Sequence, residues 1–334
     1  MQQKLDLKKN LYSLILLGGT FILYFAPRYM SMFSLLVTPF ILSLIIFIGV
    51  KYQVENIIIP LSLLNFILFF FFKLEAITFM LNSSIPAVFI LLFLNKNSYT
   101  LSFDLIKKIA KFIIIYSLSL SIITIILLRF TFFYNLAEQI INYINNYFDS
   151  YIAVLKKQNL SLTQIEYLRD IKKMAIKILI MYYPAVIFIN YIFYLSLNAF
   201  LSAALISNYV IKKPKFIYML FLKINDSFIW PFIISWALVF VSLYINSELF
   251  SQIIWNIALI ISTIYIIQGI IILFNKLLFI KLNSILKFIL IFIVIELIIS
   301  FFMYSVFIIL GLGLFDTWFD FRHISKIKDI DTLI

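Results

Sequence analysis

The feature that most constrains this chain is a succession of long apolar runs separated by short polar connectors. In residues 286–310, for example, the only charged side chains are Lys287 and Glu296. A run of about 20 apolar residues crosses the roughly 30 Å hydrocarbon core of a bilayer as an α-helix, which pairs its own backbone groups. The chain is 64% hydrophobic and 13% charged, whereas soluble domains average about 45–50% and 25%. The sequence therefore predicts an all-α, polytopic transmembrane helix bundle.

The apolar runs predict eight or nine spans within a single membrane domain that covers residues 1–334. No low-complexity linker marks a domain boundary. The predicted spans are residues 11–26, 30–50, 54–72, 76–94, 112–128, 174–210, 231–245, 253–274 and 286–310.

Residues 131–173 interrupt this pattern. Apolar side chains recur there every three or four positions, from Phe133 to Leu155, with Asn, Asp and Glu residues between them. This periodicity is typical of amphipathic helices, and the segment is too polar to cross a membrane. We predict an inserted helical hairpin outside the bilayer.

The basic residues give the chain a formal net charge of +12. They are spread over short connectors, chiefly the N-terminus and residues 96–111, 212–223 and 276–281, so they indicate membrane orientation and no nucleic-acid partner. Connectors rich in Lys and Arg stay in the cytoplasm. We expect a multi-pass membrane protein with a cytoplasmic N-terminus and an external hairpin.

Two scarce residue types limit the chemistry that we expect. The chain has no Cys and a single His, His323. Thiolate metal sites and disulfides are therefore excluded, and a Ser/His/Asp set has no evident histidine partner. The sequence predicts no metal or other cofactor and no enzymatic activity.

Polar side chains within the apolar runs form the first candidate site. A carboxylate at the centre of the bilayer costs at least about 2.5 kcal/mol, so Glu296 is expected to have a partner inside the protein. Ser300 and Tyr304 follow at helical spacing, and four amides in other spans are candidates to meet them: Gln268, Asn275, Asn190 and Asn198. The set predicts either an interior site for a substrate or proton, or a protonated Glu296 that fixes helix packing.

The tail carries the second candidate site, in which Asp316, Asp320 and His323 lie at helical spacing beside Arg322. One hypothesis is that the acids hold a divalent ion. The other is that Asp316, Asp320 and Arg322 lock the tail against the bundle through an ion pair or a helix cap, with aromatic anchors between them. The nearby glycines, Gly311 and Gly313, predict the exit from a helix.

The segment "LNSSIP", residues 81–86, interrupts the fourth predicted span. A broken helix frees backbone groups that bind a ligand where they line a cavity. Alternatively, the segment is a turn before a shorter helix. Both alternatives remain open from the sequence.

The C-terminal half resembles a known family in four stretches. These are "YYPAVIFINYIFYLSLN" at residues 182–198, "IWP" at 229–231, "WNIALIISTIYIIQGI" at 255–270 and "LGLGLFDTWFDFR" at 310–322. Together they resemble the YybS-like family of predicted bacterial membrane proteins (domain of unknown function 2232). That resemblance implies a bacterial membrane protein, and it does not imply any particular reaction.

The front half is loosely similar to the substrate-binding membrane components of energy-coupling-factor vitamin importers, which implies a compact bundle of about six helices. Its first helix carries Gly18 and Gly19 but no Ala-x-x-x-Ala stripe. Together with the interior polar residues around Glu296, this predicts a small-molecule binding or transport component that resembles importer substrate-binding subunits. The alternative is a non-catalytic scaffold or assembly factor that binds a protein partner through the 131–173 hairpin.

Overall fold

The computed structural model describes residues 12–24 except 14 and 21, 40–96 except 72, 102–129, 134–156, 162–207, 219–245 and 247–322. Within these ranges the chain is helical and contains no strand, so the predicted all-α fold is confirmed. An apolar helical stretch, Ile15–Tyr24, comes first. The helices that follow are α1 Ile41–Tyr52, α2 Glu55–Phe71, α3 Lys73–Phe79, α4 Ile85–Lys96, α5 Phe103–Arg129, α6 Tyr134–Lys156, α7 Leu162–Ile206, α8 Ile229–Ser242, α9 Glu248–Phe279, α10 Ser284–Ser300 and α11 Phe302–Phe319.

Five helices of the described chain are long and apolar enough to cross a membrane. Four shorter apolar helices accompany them. The prediction of eight or nine spans stays a prediction, because the length of these shorter helices alone does not decide whether each one crosses. The five long helices are Ala76–Lys96, Phe103–Ile126, Thr163–Ile206, Glu248–Phe279 and Phe302–Phe319.

The chain divides into two compact units, each built from separate segments of sequence. Unit 1 contains residues 1–116, 192–226 and 265–334, and unit 2 contains residues 117–191 and 227–264. In unit 1, Gly49 of α1 lies against the side chain of Leu91 of α4. In unit 2, the core contains Val239, Ile254 and Ala258, with Trp236, Phe250 and Trp255 packed against them.

The last predicted span is two helices in the structure. We predicted one helix over residues 286–310, whereas α10 ends at Ser300 and α11 begins at Phe302. Phe301 leaves the helical conformation, with φ −112° and ψ 41°. Because neither Pro nor Gly marks this position, the apolar pattern runs through the break without a signal.

The hairpin region contains α6 and the first part of α7. Lys172 of α7 donates to Asp149 of α6 at 3.0 Å, which joins the two arms. At about 1.5 Å per residue, the 45 residues of α7 extend over about 67 Å, more than twice the roughly 30 Å hydrocarbon thickness. α7 is therefore too long to lie entirely within the hydrocarbon core.

The "LNSSIP" segment neither breaks the helix nor forms a non-helical turn before a shorter helix. Residues Met80–Ser84 form one turn of π-helix that continues α3 into α4. The Ile85 N–H donates to the Met80 carbonyl, one residue beyond its α-helical partner. Pro86 favours this wider turn, because its ring lacks an N–H and clashes with the carbonyl four residues earlier in an α-helix.

Candidate functional site

The end of α11 positions a buried ion pair in unit 1. Asp320 adopts a left-handed conformation with φ 41°, and its N–H donates to the Asp316 carbonyl. This reversal brings the Phe321 N–H to Asp316 Oδ1 at 3.0 Å and Arg322 Nη2 to Asp316 Oδ2 at 2.6 Å. Both charged side chains have no solvent-exposed surface. Asp tolerates the left-handed region better than most residues, which makes Asp320 a suitable C-cap.

Arg322 also holds a segment of irregular backbone. Its Nη1 donates to the carbonyls of Leu220, at 3.1 Å, and Leu222, at 2.5 Å. Burial lowers the pKa of the Arg322 guanidinium from its ordinary value, and the charge of Asp316 opposes that shift. The guanidinium therefore links one carboxylate to two backbone carbonyls in a site without water-exposed surface.

The segment that Arg322 contacts, residues 219–225, is called the 219–225 connector here. It contains a short 3₁₀ turn, residues 219–221, followed by irregular backbone. Gln268 of α9 accepts the Ile224 N–H at 2.9 Å, and Asn275 of α9 donates to the Leu220 carbonyl at 3.4 Å. Leu220 and Phe221 are buried, and buried irregular backbone needs such protein partners because water does not reach its polar groups. Side chains of α9 and the tail thus replace the hydrogen bonds that a helix would make internally.

Gln268 joins the 219–225 connector to the ion pair. Its amide nitrogen donates to Asp316 Oδ2 at 3.1 Å and to the Gly313 carbonyl at 3.2 Å. The two candidate sites from the sequence therefore share a cluster, since Gln268 and Asn275 belong to the first set and Asp316 and Arg322 to the second. We call these four side chains the buried polar cluster.

Two glycines allow α9 and α11 to approach closely beside this cluster. A Cβ at Gly269 would lie 1.9 Å from the Ile309 carbonyl oxygen, and a Cβ at Gly313 would lie 2.0 Å from that of Tyr265. Gly313 is also inside α11, which continues to Phe319. The predicted helix exit at Gly311 and Gly313 is therefore wrong, and Gly313 is a packing residue.

The metal hypothesis required Asp316, Asp320 and His323 to converge. His323 lies outside the residues that the structure describes. Asp316 is fully engaged by Gln268, Phe321 and Arg322. Within the described ranges, no group of three or more His, Asp and Glu side chains is placed to hold a metal ion.

Glu296 lies apart from the buried polar cluster, on the exposed surface of α10. Ser300 is exposed as well, and Tyr304 is 73% exposed. The break at Phe301 places Tyr304 on α11, so these three residues are not on one helix as predicted. Apolar neighbours surround Glu296 on the same surface, including Phe292, which is 61% exposed.

The remaining two candidates, Asn190 and Asn198, are on α7 and differ in burial. Asn190 is exposed, whereas Asn198 is fully buried. Asn198 Oδ1 accepts the backbone N–H of Ser43 at 3.0 Å. Ser43 lies in the first turn of α1, where backbone N–H groups have no partner within the helix. Asn198 thus caps a neighbouring helix, and the seven candidates of the first set do not form one cluster.

The structure also shows a polar cluster at the π-turn of unit 1. Asn65 of α2 and Ser84 exchange side-chain hydrogen bonds at 3.0 and 3.2 Å. The hydroxyls of Ser83 and Tyr194 are 3.3 Å apart. Tyr116 donates to the Leu81 carbonyl at 2.7 Å, an oxygen that the wider turn removes from its usual helical partner.

In unit 2, Asn256 supplies hydrogen-bond partners to the backbone of α7 around Pro184. Proline inside a helix removes one hydrogen bond and disturbs the next. Asn256 Oδ1 accepts the Ala185 N–H at 2.8 Å, and its Nδ2 donates to the Met181 carbonyl at 2.8 Å. Gln252, one turn earlier on α9, donates to the Ile180 carbonyl at 3.0 Å. Sequence reasoning alone assigns no role to Asn256, and the one signal for it is an amide pair, Gln252 and Asn256, at helical spacing in a chain that also has a proline within a helix.

Comparison with known proteins supplies a family. A family model described as "Predicted membrane protein (DUF2232)" matches residues 15–317. This range contains α1 to α10 and most of α11, and it includes Asp316 but ends before Arg322. No curated protein and no solved structure matches the chain.

Proposed function

Because the chain belongs to the family of predicted membrane proteins DUF2232, we propose that it is a non-catalytic membrane component that binds a second membrane protein within the bilayer. The observation that carries this proposal is the exposed carboxylate of Glu296 on α10. We place the chain in the bacterial inner membrane with its N-terminus in the cytoplasm, as the basic connectors predict.

The position of Glu296 along α10 supports a partner inside the membrane. At about 1.5 Å per residue it lies about 18 Å from the start of α10 at Ser284. Apolar side chains are exposed on both sides of it, including Phe292 at 61%, Ile299 at 70% and Met303 at 70%. Leaving an ionised acid among acyl chains costs about 2.5–3.5 kcal/mol on insertion scales. A partner that donates to Glu296 recovers part of that cost.

Because a carboxylate accepts hydrogen bonds, the partner of Glu296 must present hydrogen-bond donors. A transmembrane helix with Lys, Arg, Asn or Gln facing Glu296 supplies donors, and exposed Ser300, one turn later on α10, extends the polar contact. A second copy of this chain fits less well, because a two-fold contact centred on Glu296 brings two carboxylates together. The proposed partner is therefore another membrane protein.

The test is copurification from native membranes with three variants. Glu296→Gln is expected to lose a membrane protein that the wild type retains, whereas Glu248→Gln, another exposed acid at the start of α9, retains it. Glu296→Lys should regain that protein when its facing basic residue is changed to Glu. The same protein bound equally by wild type and Glu296→Gln would contradict the proposal.

The hairpin offers a different surface for the same kind of function. Tyr147, Tyr151 and Tyr167 of α6 and α7 are 63%, 48% and 68% exposed. Aromatic side chains of this kind are common contact residues in protein interfaces. Replacing residues 134–173 with a Gly/Ser linker separates the two surfaces. If the partner is lost only in this variant, the contact is made by the hairpin outside the bilayer.

The second candidate function is a small-molecule binding or transport component, and the π-turn cluster favours it. Asn82 Oδ1 is buried and has no hydrogen-bond partner among the described residues. It lies in the same π-turn as Ser83 and Ser84, and π-turns recur at functional sites. Mass spectrometry of small molecules that copurify with the protein tests this function. Asn82→Leu should lose the molecule, and Asn190→Leu, an exposed amide on α7, should keep it.

A further inference from the structure

A cavity of about 160 Å³ in unit 1 is lined entirely by hydrocarbon side chains. They come from α9, α10 and α11, and include Leu273, Leu277, Ile291, Val294, Ile298 and Ile309. An apolar cavity of this size stays dry and accepts apolar ligands. It is separate from the buried polar cluster, whose side chains do not line it.

Three lysines lie close in sequence to the lining residues where α9 ends and α10 begins. Lys287 is one helical turn before Ile291 on α10, or about 6 Å along the axis. Its ammonium donates to the carbonyl of Leu278, in the last turn of α9, at 2.7 Å. Lys281 is exposed in the loop between the two helices, and Lys276 is exposed near the end of α9. No Asp or Glu occurs between Glu248 and Glu296, so this stretch contributes no negative side chain that would offset the three lysines.

We propose that an anionic phospholipid binds at this place, with one acyl chain in the apolar cavity and its phosphate at Lys281 and Lys287. Two features of the site select this occupant. The cavity, at about 160 Å³, is too small in volume for a helix but accepts part of a methylene chain, and the lysines near its end attract a phosphate. The loop that carries Lys281 joins the two helices that form most of the cavity wall.

Native mass spectrometry of the full-length, delipidated protein tests the proposal with two lipids that have the same acyl chains. Phosphatidylglycerol is anionic and phosphatidylcholine has no net charge. We expect phosphatidylglycerol to bind the wild type more tightly. The double variant Lys281→Gln/Lys287→Gln should bind it roughly 10-fold to 30-fold more weakly, with phosphatidylcholine unchanged. Lys107→Gln/Lys108→Gln removes the same charge from exposed positions of α5 and should leave both affinities unchanged.

A pair of adjacent residues tests the acyl-chain part. Ile298→Trp fills the cavity and should abolish tight binding of phosphatidylglycerol. Ile299→Trp places the same side chain at a position that is 70% exposed and does not line the cavity, so binding should persist. If Ile298→Trp does not fold, the lysine variants still decide the proposal.

Three results would overturn it. Equal affinity of the wild type for the two lipids would remove the role of charge, and equal losses in the two lysine pairs would remove the role of this location. Unchanged lipid binding by Ile298→Trp, with an altered oligomeric state, would assign the cavity to a protein contact. Glu296→Gln changes none of the residues of the lipid site, so failure of the lipid proposal is distinguishable from failure of the partner proposal.

Discussion

Asp316 and Glu296 are acids on consecutive apolar helices, yet their surroundings are opposite. Asp316 accepts hydrogen bonds from Gln268, Phe321 and Arg322, and its side chain is fully buried. Glu296 is exposed among apolar neighbours. The difference teaches that hydropathy locates an acid within a membrane segment but does not show whether the fold itself uses the acid. In this chain, folding accounts for Asp316, whereas an external partner is the proposed explanation for Glu296.

Removing Asp316 should have the largest effect on stability. Asp316→Ala leaves the Arg322 guanidinium buried without its carboxylate, which typically costs about 3–5 kcal/mol. The free energy of unfolding, measured by denaturant titration in detergent, should fall by about that amount. The double variant Asp316→Leu/Arg322→Met should be more stable than Asp316→Ala. Equal costs for Asp316→Ala and Glu296→Ala would contradict the distinction between the two acids.

Gly313→Ala should rank second, because it separates the helices that support Asp316. Its Cβ would lie 2.0 Å from the Tyr265 carbonyl oxygen, and overpacking of this kind costs about 1–3 kcal/mol. Gly311→Ala is the matched control in the same helix, since its nearest neighbour is a Phe315 ring carbon at 3.9 Å. In the same unfolding assay that control should be neutral or stabilised by up to about 1 kcal/mol. Similar losses in both variants would show that the close approach is not what matters.

Asn256→Ala tests a buried polar residue of unit 2 and should cost about 1–3 kcal/mol, because it leaves the Ala185 N–H without an acceptor. Pro184→Ala restores an N–H to α7 and should make Asn256 less necessary. A double-mutant cycle measures this coupling. Additive losses would mean that Asn256 stabilises the unit independently of the proline.

Glu296→Gln should have the smallest effect on the isolated protein. Exposed substitutions typically change stability by less than about 0.5 kcal/mol, and the described structure gives the carboxylate no hydrogen bond to lose. The same titration measures the free energy of unfolding, with Asp316→Ala as the reference. A loss above about 1 kcal/mol would indicate that Glu296 has a partner inside the monomer.

Much of the fold was predictable, because apolar length and helical periodicity are local properties of the sequence. The hairpin arms, the long helix that continues from the second arm and the possible Asp316–Arg322 pair follow from spacing. The partners of Arg322 do not, because backbone carbonyls such as those of Leu220 and Leu222 are present in every residue and leave no compositional trace.

The orientation of α10 was not predictable for a related reason. Nearly every residue of this helix is apolar, so the sequence does not show which face packs against protein. The cost of its charge predicts an interior position for Glu296, but that cost is equally compatible with a contact outside the monomer. The break at Phe301 lacks any sequence signal, so spacing alone predicts that Ser300 and Tyr304 share one helix face with Glu296.

The π-turn at Met80–Ser84 has a consequence for how this chain tolerates insertions and deletions. The wider turn takes up an extra residue, so the helix after it keeps about the phase of a regular helix that is one residue shorter. Leu91, which contacts Gly49, faces its neighbour in that phase. Loss of a single residue from the turn would convert it into an α-helical turn of about the same total rotation, so Leu91 would still face α1. The turn is therefore the place in this helix where one residue is lost most easily.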